Sequence, residues 1–257
     1  MLERRDVLKG MAGASLAGLP LAAILADPGL ARAAAASLHE YTINTPGGRR
    51  ISGALAMPQG MPAPTVVLIH EWWGLNDQIK AVAAEFARLG YLALAVDLMD
   101  GKVATTPEEA RAQTQAVDAA AAADTLAGWI EWLGVHDAST HKIGTVGWCF
   151  GGGWSLDASI ATPVEATVVY YGRVNRTAAD LARLKGPVLG HFATRDRFIN
   201  EAMVAAWEKE MDKAGKAYTS HRYDADHAFA NPTSARYDEA DAKLAWERTL
   251  KFLGEHL

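Results

Sequence analysis

Residues 146–153 read Val-Gly-Trp-Cys-Phe-Gly-Gly-Gly and contain the only cysteine of the chain. An apolar run over residues 143–146 predicts a short buried strand before this stretch, and the residues after it have helical spacing. Gly147, Cys149 and Gly151 therefore form the G-x-S-x-G pattern of a strand–turn–helix, with sulfur in place of oxygen.

This type of turn makes demands that glycine meets. The central residue has a strained backbone, and its neighbours two positions away must lack a Cβ so that strand and helix can approach. The turn also directs backbone N–H groups and a helix N-terminus at the central side chain, which stabilises a thiolate or an oxyanion. A buried structural cysteine in a glycine-rich turn is the alternative interpretation. A phosphate-binding loop does not fit, because the Walker lysine is missing and the G-x-G-x-x-G spacing is not met.

The rest of the chain alternates between strand and helix patterns. Residues 41–44 and 51–56 flank Pro-Gly-Gly and predict an antiparallel hairpin. Further strands are predicted at 66–69, 91–96, 143–147, 168–172, 187–192 and 218–223, and helices at 77–90, 107–133 (in one or two pieces), 200–214 and 234–253. This alternation predicts one α/β domain whose mostly parallel sheet has helices on both faces, with the N-terminal hairpin at an edge.

Composition narrows the function classes. Half of the 257 residues are hydrophobic and 21% are charged, as in an ordinary globular domain. The net charge is −5 with no basic patch, so a nucleic-acid partner is not expected. His70-Glu71 begins like the zinc motif H-E-x-x-H, but Gly74 replaces the second histidine, so no metal site is expected.

Residues 1–36 have the pattern of an export signal. Residues 4–9, Arg-Arg-Asp-Val-Leu-Lys, resemble a twin-arginine motif, with Val7 where phenylalanine is more usual. An uncharged apolar stretch follows at 10–26, and Ala31-Arg32-Ala33 offers small residues for a signal peptidase. A membrane-spanning helix is the weaker alternative, because the apolar run is short and interrupted by proline and aspartate. We expect a mature periplasmic chain, residues 37–257, with no membrane anchor.

An unpaired cysteine is a liability in an oxidising compartment. Its presence suggests that Cys149 is used, although chance retention in a buried site is the alternative.

Two residues that suit the chemistry of Cys149 also follow strands. Ligands of such sheets lie at the carboxyl ends of the strands, where Cys149, Asp196 and His227 are all predicted to lie. A thiol nucleophile needs an imidazole to take its proton, and a carboxylate to orient that imidazole. Asp224 and Asp226 are nearer to His227 in sequence but are expected to be solvated.

The other histidines fit the role of base less well. His191 lies in an apolar strand and is expected in the core, and His221 lies within a strand. The remaining competitors are expected in loops or near chain ends: His39, His136, His141 and His256.

Four motifs now carry a resemblance. Gly147-Trp148-Cys149-Phe150-Gly151-Gly152, preceded by His70-Glu71-Trp72-Trp73-Gly74-Leu75-Asn76, resembles the dienelactone hydrolase family of α/β-hydrolases. Thr194-Arg195-Asp196 and His227-Ala228-Phe229 extend the resemblance, which runs from about Glu40 to the C-terminus. It implies an α/β-hydrolase fold and hydrolysis of an ester or lactone without a cofactor.

The resemblance also assigns roles. It implies that Glu71 exchanges contact with the Cys149 thiol between resting and substrate-bound states, whereas the simpler interpretation is a carboxylate at the rim of the pocket. It further implies that the backbone N–H groups of Trp72 and Phe150 form the oxyanion hole.

One departure from the family concerns the substrate. The best-known members hold a substrate carboxylate with arginines, but Asn231 stands at one of these positions and Met99-Asp100-Gly101 at the other. Lys102 and Arg173 are candidate replacements. Trp73 and Tyr171 are further candidate substrate contacts.

The resulting hypothesis is a monomeric, thiol-dependent hydrolase of a small-molecule ester or lactone, acting through an acyl thioester on Cys149. A thiol redox protein is disfavoured because the chain has no second cysteine to resolve a mixed disulfide. A ligand-binding protein that keeps the fold without turnover remains the alternative.

Overall fold

The computed structural model describes residue 16 and residues 18–257. The twin-arginine motif at residues 4–9 lies outside the described residues. Within them, no helix is both long and apolar enough to cross a membrane.

Eight strands form one mixed sheet in the order β1-β2-β4-β3-β5-β6-β7-β8. β1 pairs antiparallel with β2, and β2 pairs antiparallel with β4, while every other pairing is parallel. The sequence prediction of a mostly parallel sheet with an N-terminal antiparallel hairpin is confirmed. The strands are β1 His39–Asn44, β2 Arg50–Ala56, β3 Ala63–Ile69, β4 Leu92–Val96, β5 Ser139–Trp148, β6 Ala166–Tyr170, β7 Val188–Ala193 and β8 Tyr218–Tyr223.

Nine helices within the described residues surround this sheet. They are α1 Leu21–Ala26, α2 Pro28–Ala35, α3 Asp77–Arg88, α4 Pro107–Gln115, α5 Ala119–Leu133, α6 Phe150–Ala161, α7 Ala178–Leu181, α8 Glu201–Ala214 and α9 Glu239–His256. The predicted helical region 107–133 is two helices, because α5 starts afresh at Asp118, whose side chain accepts from the N–H of Ala121.

Both faces of the sheet are covered, as alternation along β3 shows. Val66 and Leu68 pack with α3 and α9, whereas Val67 and Ile69 pack with α5 on the opposite face. A third apolar cluster joins α6 and α8 to β6 and β7. Side chains in these clusters are fully buried, such as Leu126 of α5 and Met211 of α8, and each such burial stabilises the fold by about 1.5–3 kcal/mol.

The last helix begins later than its apolar pattern predicts. The prediction placed its start at 234, but residues 231–238 form turns, and Asp238 caps α9 by accepting from the N–H of Asp241. These turns keep Asn231 beside the carboxyl ends of the strands, where it contacts the site described below.

The segment before β1 is folded onto the domain. α1 and α2 pack against α3 and bury Ile24, Leu25, Ala31 and Ala34. Asp27 caps α2 by accepting from the N–H groups at positions 29 and 30.

Candidate active site

Cys149 lies on a strained turn between β5 and α6. Its backbone is in the left-handed region, with φ 54° and ψ −114°, where a side chain is disfavoured. A Cβ on Gly147 would stand 2.0 Å from the carbonyl oxygen of Gly151, and a Cβ on Gly151 would stand 2.2 Å from that of Ile69. Both glycines are therefore required by close backbone contact.

Three strand ends bring Cys149, Asp196 and His227 together. The Nε2 atom of His227 lies 3.1 Å from the sulfur of Cys149, and its Nδ1 atom lies 2.6 Å from Oδ2 of Asp196. The other carboxylate oxygen of Asp196 accepts from the N–H groups of Phe198 and Ile199 at 2.8 and 3.0 Å. This geometry lets the imidazole exchange a proton with the sulfur while the carboxylate fixes its orientation.

The charges around the imidazole favour its protonated form. Burial would lower the pKa of His227, but hydrogen bonds to Asp196 and Cys149 and their charges outweigh burial and raise the pKa to about 10. Burial would raise the pKa of Asp196, but the hydrogen bond and charge of His227 and the two backbone donors hold it below its usual value. The carboxylate therefore stays ionised beside the imidazole.

The competing acids and histidine have other partners. Asp224 and Asp226 are exposed and pair with Arg195. His191 is buried, with its ring nitrogens on the hydroxyls of Tyr223 and Thr249. None of the three contacts the sulfur of Cys149.

Glu71 is a buried carboxylate beside this group. Its Oε1 accepts from the hydroxyl of Tyr171 at 3.2 Å, and its Oε2 accepts from the amide of Asn231 at 2.7 Å. Burial raises the pKa of Glu71, although these hydrogen bonds and the charge of His227 oppose the rise. In this conformation the sulfur of Cys149 is hydrogen-bonded to His227, while the carboxylate of Glu71 is hydrogen-bonded to Asn231 and Tyr171 and forms no hydrogen bond with the sulfur.

The environment of Tyr171 fixes its hydroxyl as a donor. Burial, together with the nearby charges of Glu71 and Cys149, raises its pKa well above the usual value. Its ring lies 5.2 Å from that of His227, so it bridges Glu71 and His227.

Two backbone N–H groups near Cys149 are free to bind a ligand. Neither the N–H of Trp72 nor that of Phe150 donates a hydrogen bond to another described residue. Phe150 directly follows Cys149 at the start of α6, where free N–H groups are expected.

The remaining candidates divide into two groups. Trp73 is half-buried and packs edge-on against Trp72, with ring centroids 5.0 Å apart. Lys102 and Arg173 are exposed, and neither forms an ion pair with any residue in the described part of the chain. The structure thus joins Tyr171 and Asn231 to Glu71 but leaves the two candidate cations at the surface.

A cavity of about 310 Å³ begins at Glu71, Tyr171 and Asn231. Apolar side chains dominate its walls, including Trp148, Trp246, Ile79, Val82, Leu21 and Leu25. The charged residues that line it are Glu71, Glu85, Glu239, Glu247 and Lys243. Its lining residues include none of Cys149, His227, Lys102 and Arg173.

Sequence patterns missed two further contacts. Phe198 has an exposed side chain whose ring lies 5.7 Å from that of His227. Gln78 donates to the amide oxygen of Asn231 at 2.7 Å. Phe198 follows Asp196 by two positions, which is the only sequence signal for it.

In the part of the chain that is described, no three His, Cys, Asp or Glu side chains are grouped to hold a metal ion.

Comparison with known proteins identifies the family. The model described as "Dienelactone hydrolase family" matches residues 51–257. The protein usf of Aquifex pyrophilus is 30% identical over 230 residues, which covers 82% of this chain and 95% of usf. A carboxymethylenebutenolidase of Pseudomonas putida is 28% identical over 217 residues, covering 80% of this chain and 92% of that protein.

The fold has solved counterparts. The crystal structure of a dienelactone hydrolase from Anabaena variabilis aligns with a TM-score of 0.63 at 20% identity, over 86% of this chain and 99% of that one. The chain belongs to the dienelactone hydrolase family, and it is a hydrolase of carboxylic esters or lactones.

Proposed function

We propose that this hydrolase works through a Cys149–His227–Asp196 triad and an acyl-thioester intermediate. The observation that carries the proposal is the line of contacts from sulfur to imidazole to carboxylate, at 3.1 and 2.6 Å. The pKa of His227, raised to about 10, supports an imidazolium that is ready to give its proton to a leaving group.

The reaction runs in two halves. The sulfur of Cys149 attacks the carbonyl carbon, and the new oxyanion binds the N–H groups of Trp72 and Phe150. The C–O bond breaks as His227 gives its proton to the departing alkoxide, which leaves an acyl thioester. Water then attacks the thioester while His227 takes a proton from it, and the C–S bond breaks to release the acid and the thiolate.

We infer that the preferred substrate is uncharged and carries an apolar group. The cavity beside Glu71 is walled by aromatic and aliphatic side chains and has four glutamates against one lysine. Asn231 donates one hydrogen bond to Glu71 and is neutral, so it supplies no positive charge to a substrate carboxylate.

We further propose that residues 1–36 are a twin-arginine signal and that the mature chain, 37–257, acts as a periplasmic monomer. Support comes from the residue pattern at 4–33. Ala31 and Ala34 are buried within α2, so removal of residues 1–36 requires this helix to leave the domain. Its removal with α1 opens the side of the cavity that Leu21 and Leu25 line. Light scattering of the processed chain tests the monomer; a larger mass rejects it.

The test of the mechanism compares Cys149→Ala and Cys149→Ser with the unsubstituted chain on a panel of lactones and short-chain esters. We expect Cys149→Ala to abolish turnover and Cys149→Ser to retain at most a trace, because an alcohol is far harder to ionise than a thiol. Mass spectrometry of the rapidly quenched unsubstituted chain should find the acyl group on Cys149. Full turnover by Cys149→Ala rejects the mechanism, and ligand binding without turnover by the unsubstituted chain favours the ligand-binding alternative.

A further inference from the structure

His70 contacts both segments that carry the N–H groups proposed to bind the oxyanion. It follows β3 directly, and its side chain is fully buried. The Nδ1 atom lies 2.6 Å from the carbonyl oxygen of Glu71. That carbonyl belongs to the same peptide unit as the N–H of Trp72, so the bond acts on one proposed donor directly.

The second contact of the ring fixes its tautomer. The backbone N–H of Leu98 donates to Nε2 of His70 at 3.2 Å, so Nε2 has no proton and Nδ1 carries it. Burial lowers the pKa of His70, which agrees with this neutral form. Nδ1–H therefore donates to the carbonyl of Glu71, and the ring is anchored to the end of β4.

The third contact reaches the other proposed donor. The ring of His70 stacks on that of Phe150, with centroids 5.9 Å apart and planes 17° from parallel. The N–H of Phe150 is the second proposed oxyanion donor. One buried side chain thus contacts the peptide unit that supplies one proposed donor and the ring of the residue that supplies the other.

Gln113 of α4 also holds the loop that follows β3 and contains Trp72. Its amide Nε2, on the half-buried side of α4, donates to the carbonyl oxygen of Trp72 at 2.7 Å. The N–H of Gly74 also donates to the carbonyl of Glu71, at 3.3 Å, and the N–H of Ala104 donates to the carbonyl of Trp73, at 2.9 Å. The peptide units on both sides of Trp72 are therefore fixed by side chains.

We propose that His70 and Gln113 are positioning residues that aim the N–H of Trp72 for the oxyanion by fixing the peptide units on either side of this residue, and that His70, which binds the carbonyl of Glu71, also polarises this N–H. A carbonyl that accepts a hydrogen bond makes the N–H of its own peptide a stronger donor, because hydrogen bonds in a chain polarise one another. A donor fixed before reaction also costs no reorganisation when charge develops. The inference rests on the proposed function, since it requires an oxyanion at Trp72.

Four variants of the full chain separate positioning from simple packing. His70→Leu removes both ring hydrogen bonds, and His70→Gln can keep an acceptor for Leu98 and a donor for Glu71. Gln113→Leu removes the outer bond from a half-buried position. Gln115→Leu, two positions along α4 and exposed, is its matched control.

Each variant is measured for kcat and KM on one neutral ester. Inhibition is measured with a trifluoromethyl ketone, which forms a tetrahedral adduct with an oxyanion, and with the product acid, which does not. Iodoacetamide alkylation reports on the Cys149–His227 pair separately.

We expect Gln113→Leu to lower kcat by about 3- to 10-fold, as the loss of one hydrogen bond does. His70→Leu should lower kcat by about 10- to 100-fold, which is less than the loss of a whole oxyanion donor. The ketone inhibition constant should rise by the same factor in each, while KM, product-acid affinity and alkylation rate stay within about two-fold. His70→Gln should recover most of the loss, and Gln115→Leu should behave like the unsubstituted chain.

Two results overturn the inference. One is an unchanged kcat and ketone affinity in Gln113→Leu, which decides the matter even if His70→Leu does not fold. The other is a loss in kcat that is not matched by the ketone, or that equally slows alkylation, because that pattern indicates general damage to the site. If Cys149→Ala retains turnover, the proposed function fails instead, so the two failures are distinguishable.

Discussion

Replacing Asp196 with asparagine tests the orientation of His227. In the structure, Oδ1 of Asp196 accepts from two backbone N–H groups and Oδ2 contacts Nδ1 of His227. An asparagine has one oxygen and one NH₂ group to share between these places. Turning the NH₂ toward the backbone leaves two buried donors without an acceptor, at about 1–3 kcal/mol each. The amide oxygen therefore stays with the backbone, and the NH₂ faces His227.

This orientation forces the wrong tautomer. A donor facing Nδ1 makes that nitrogen an acceptor, so the imidazole proton moves to Nε2, which faces the sulfur of Cys149. The imidazole then cannot take the proton of the thiol. The corresponding change in a Ser-His-Asp triad costs about 10⁴ in kcat. A thiol depends less on its base, so we expect a loss of about 10²–10³ here.

The assay is the pH dependence of kcat and KM for a neutral ester, with the titration of His227 followed by NMR. Losing the carboxylate removes a hydrogen bond and a charge that raise the pKa of His227, so this pKa should fall from about 10 toward its usual value. KM should change little, because Asp196 acts through the imidazole and does not touch the substrate.

Asp224→Asn and Asp226→Asn are the matched controls. Both carboxylates are exposed and pair with Arg195, and exposed pairs contribute about 0–1 kcal/mol. Their activities should stay within about two-fold of the unsubstituted chain. Retention of more than a third of the kcat by Asp196→Asn, or an equal loss in Asp226→Asn, refutes the assignment of Asp196.

Three other substitutions probe the pocket and export. Asn231→Arg should raise kcat/KM for a carboxylate-bearing lactone relative to its methyl ester by about 10-fold or more, because a charged hydrogen bond contributes that much. Asn231→Met is the uncharged control. An unchanged ratio argues that an arginine at this position does not hold the substrate carboxylate. Glu71→Ala should lower ester turnover yet speed iodoacetamide alkylation of Cys149, because a nearby negative charge opposes thiol ionisation. Slower or equal alkylation rejects the exchange of contact between Glu71 and the thiol that the family resemblance implies. Changing Arg4 and Arg5 to lysine should leave precursor in the cytoplasm, measured by fractionation, and normal export rejects the twin-arginine proposal.

Glu71 adds a stability expectation. Its carboxyl has a raised pKa because it is buried, so the folded chain binds more protons than the unfolded chain once pH exceeds the ordinary value of about 4.3. Stability contributed by this group is therefore highest at low pH and falls as pH rises through the folded pKa. The denaturant midpoint of Glu71→Gln minus that of the unsubstituted chain should increase as pH rises from 5 to 8. If this difference in midpoint does not increase with pH, burial of the ionised Glu71 carboxylate does not cost stability and the reasoning is wrong.

Local patterns were sufficient where short-range rules decide the structure. The glycines around Cys149 predict the turn because a Cβ on Gly147 would meet the backbone of Gly151 within the same turn, although the contact that requires Gly151 is with Ile69 at the end of β3. The hairpin at residues 41–56 followed from turn residues between two strands. The predicted start of α9 at residue 234 was wrong, because turns held by Asn231 and Ser234 replace the first part of the predicted helix.

The sequence by itself determined the α/β class, the strained cysteine turn and the order of Cys149, Asp196 and His227 at strand ends, because periodicity and turn sterics act between near neighbours. Only the tertiary structure decided that Asp196, and not Asp224 or Asp226, faces the imidazole. Only the tertiary structure joined Glu71 to Asn231, 160 positions away. Contacts of this kind depend on strand order, register and the direction of each side chain, and these are fixed when the whole core packs.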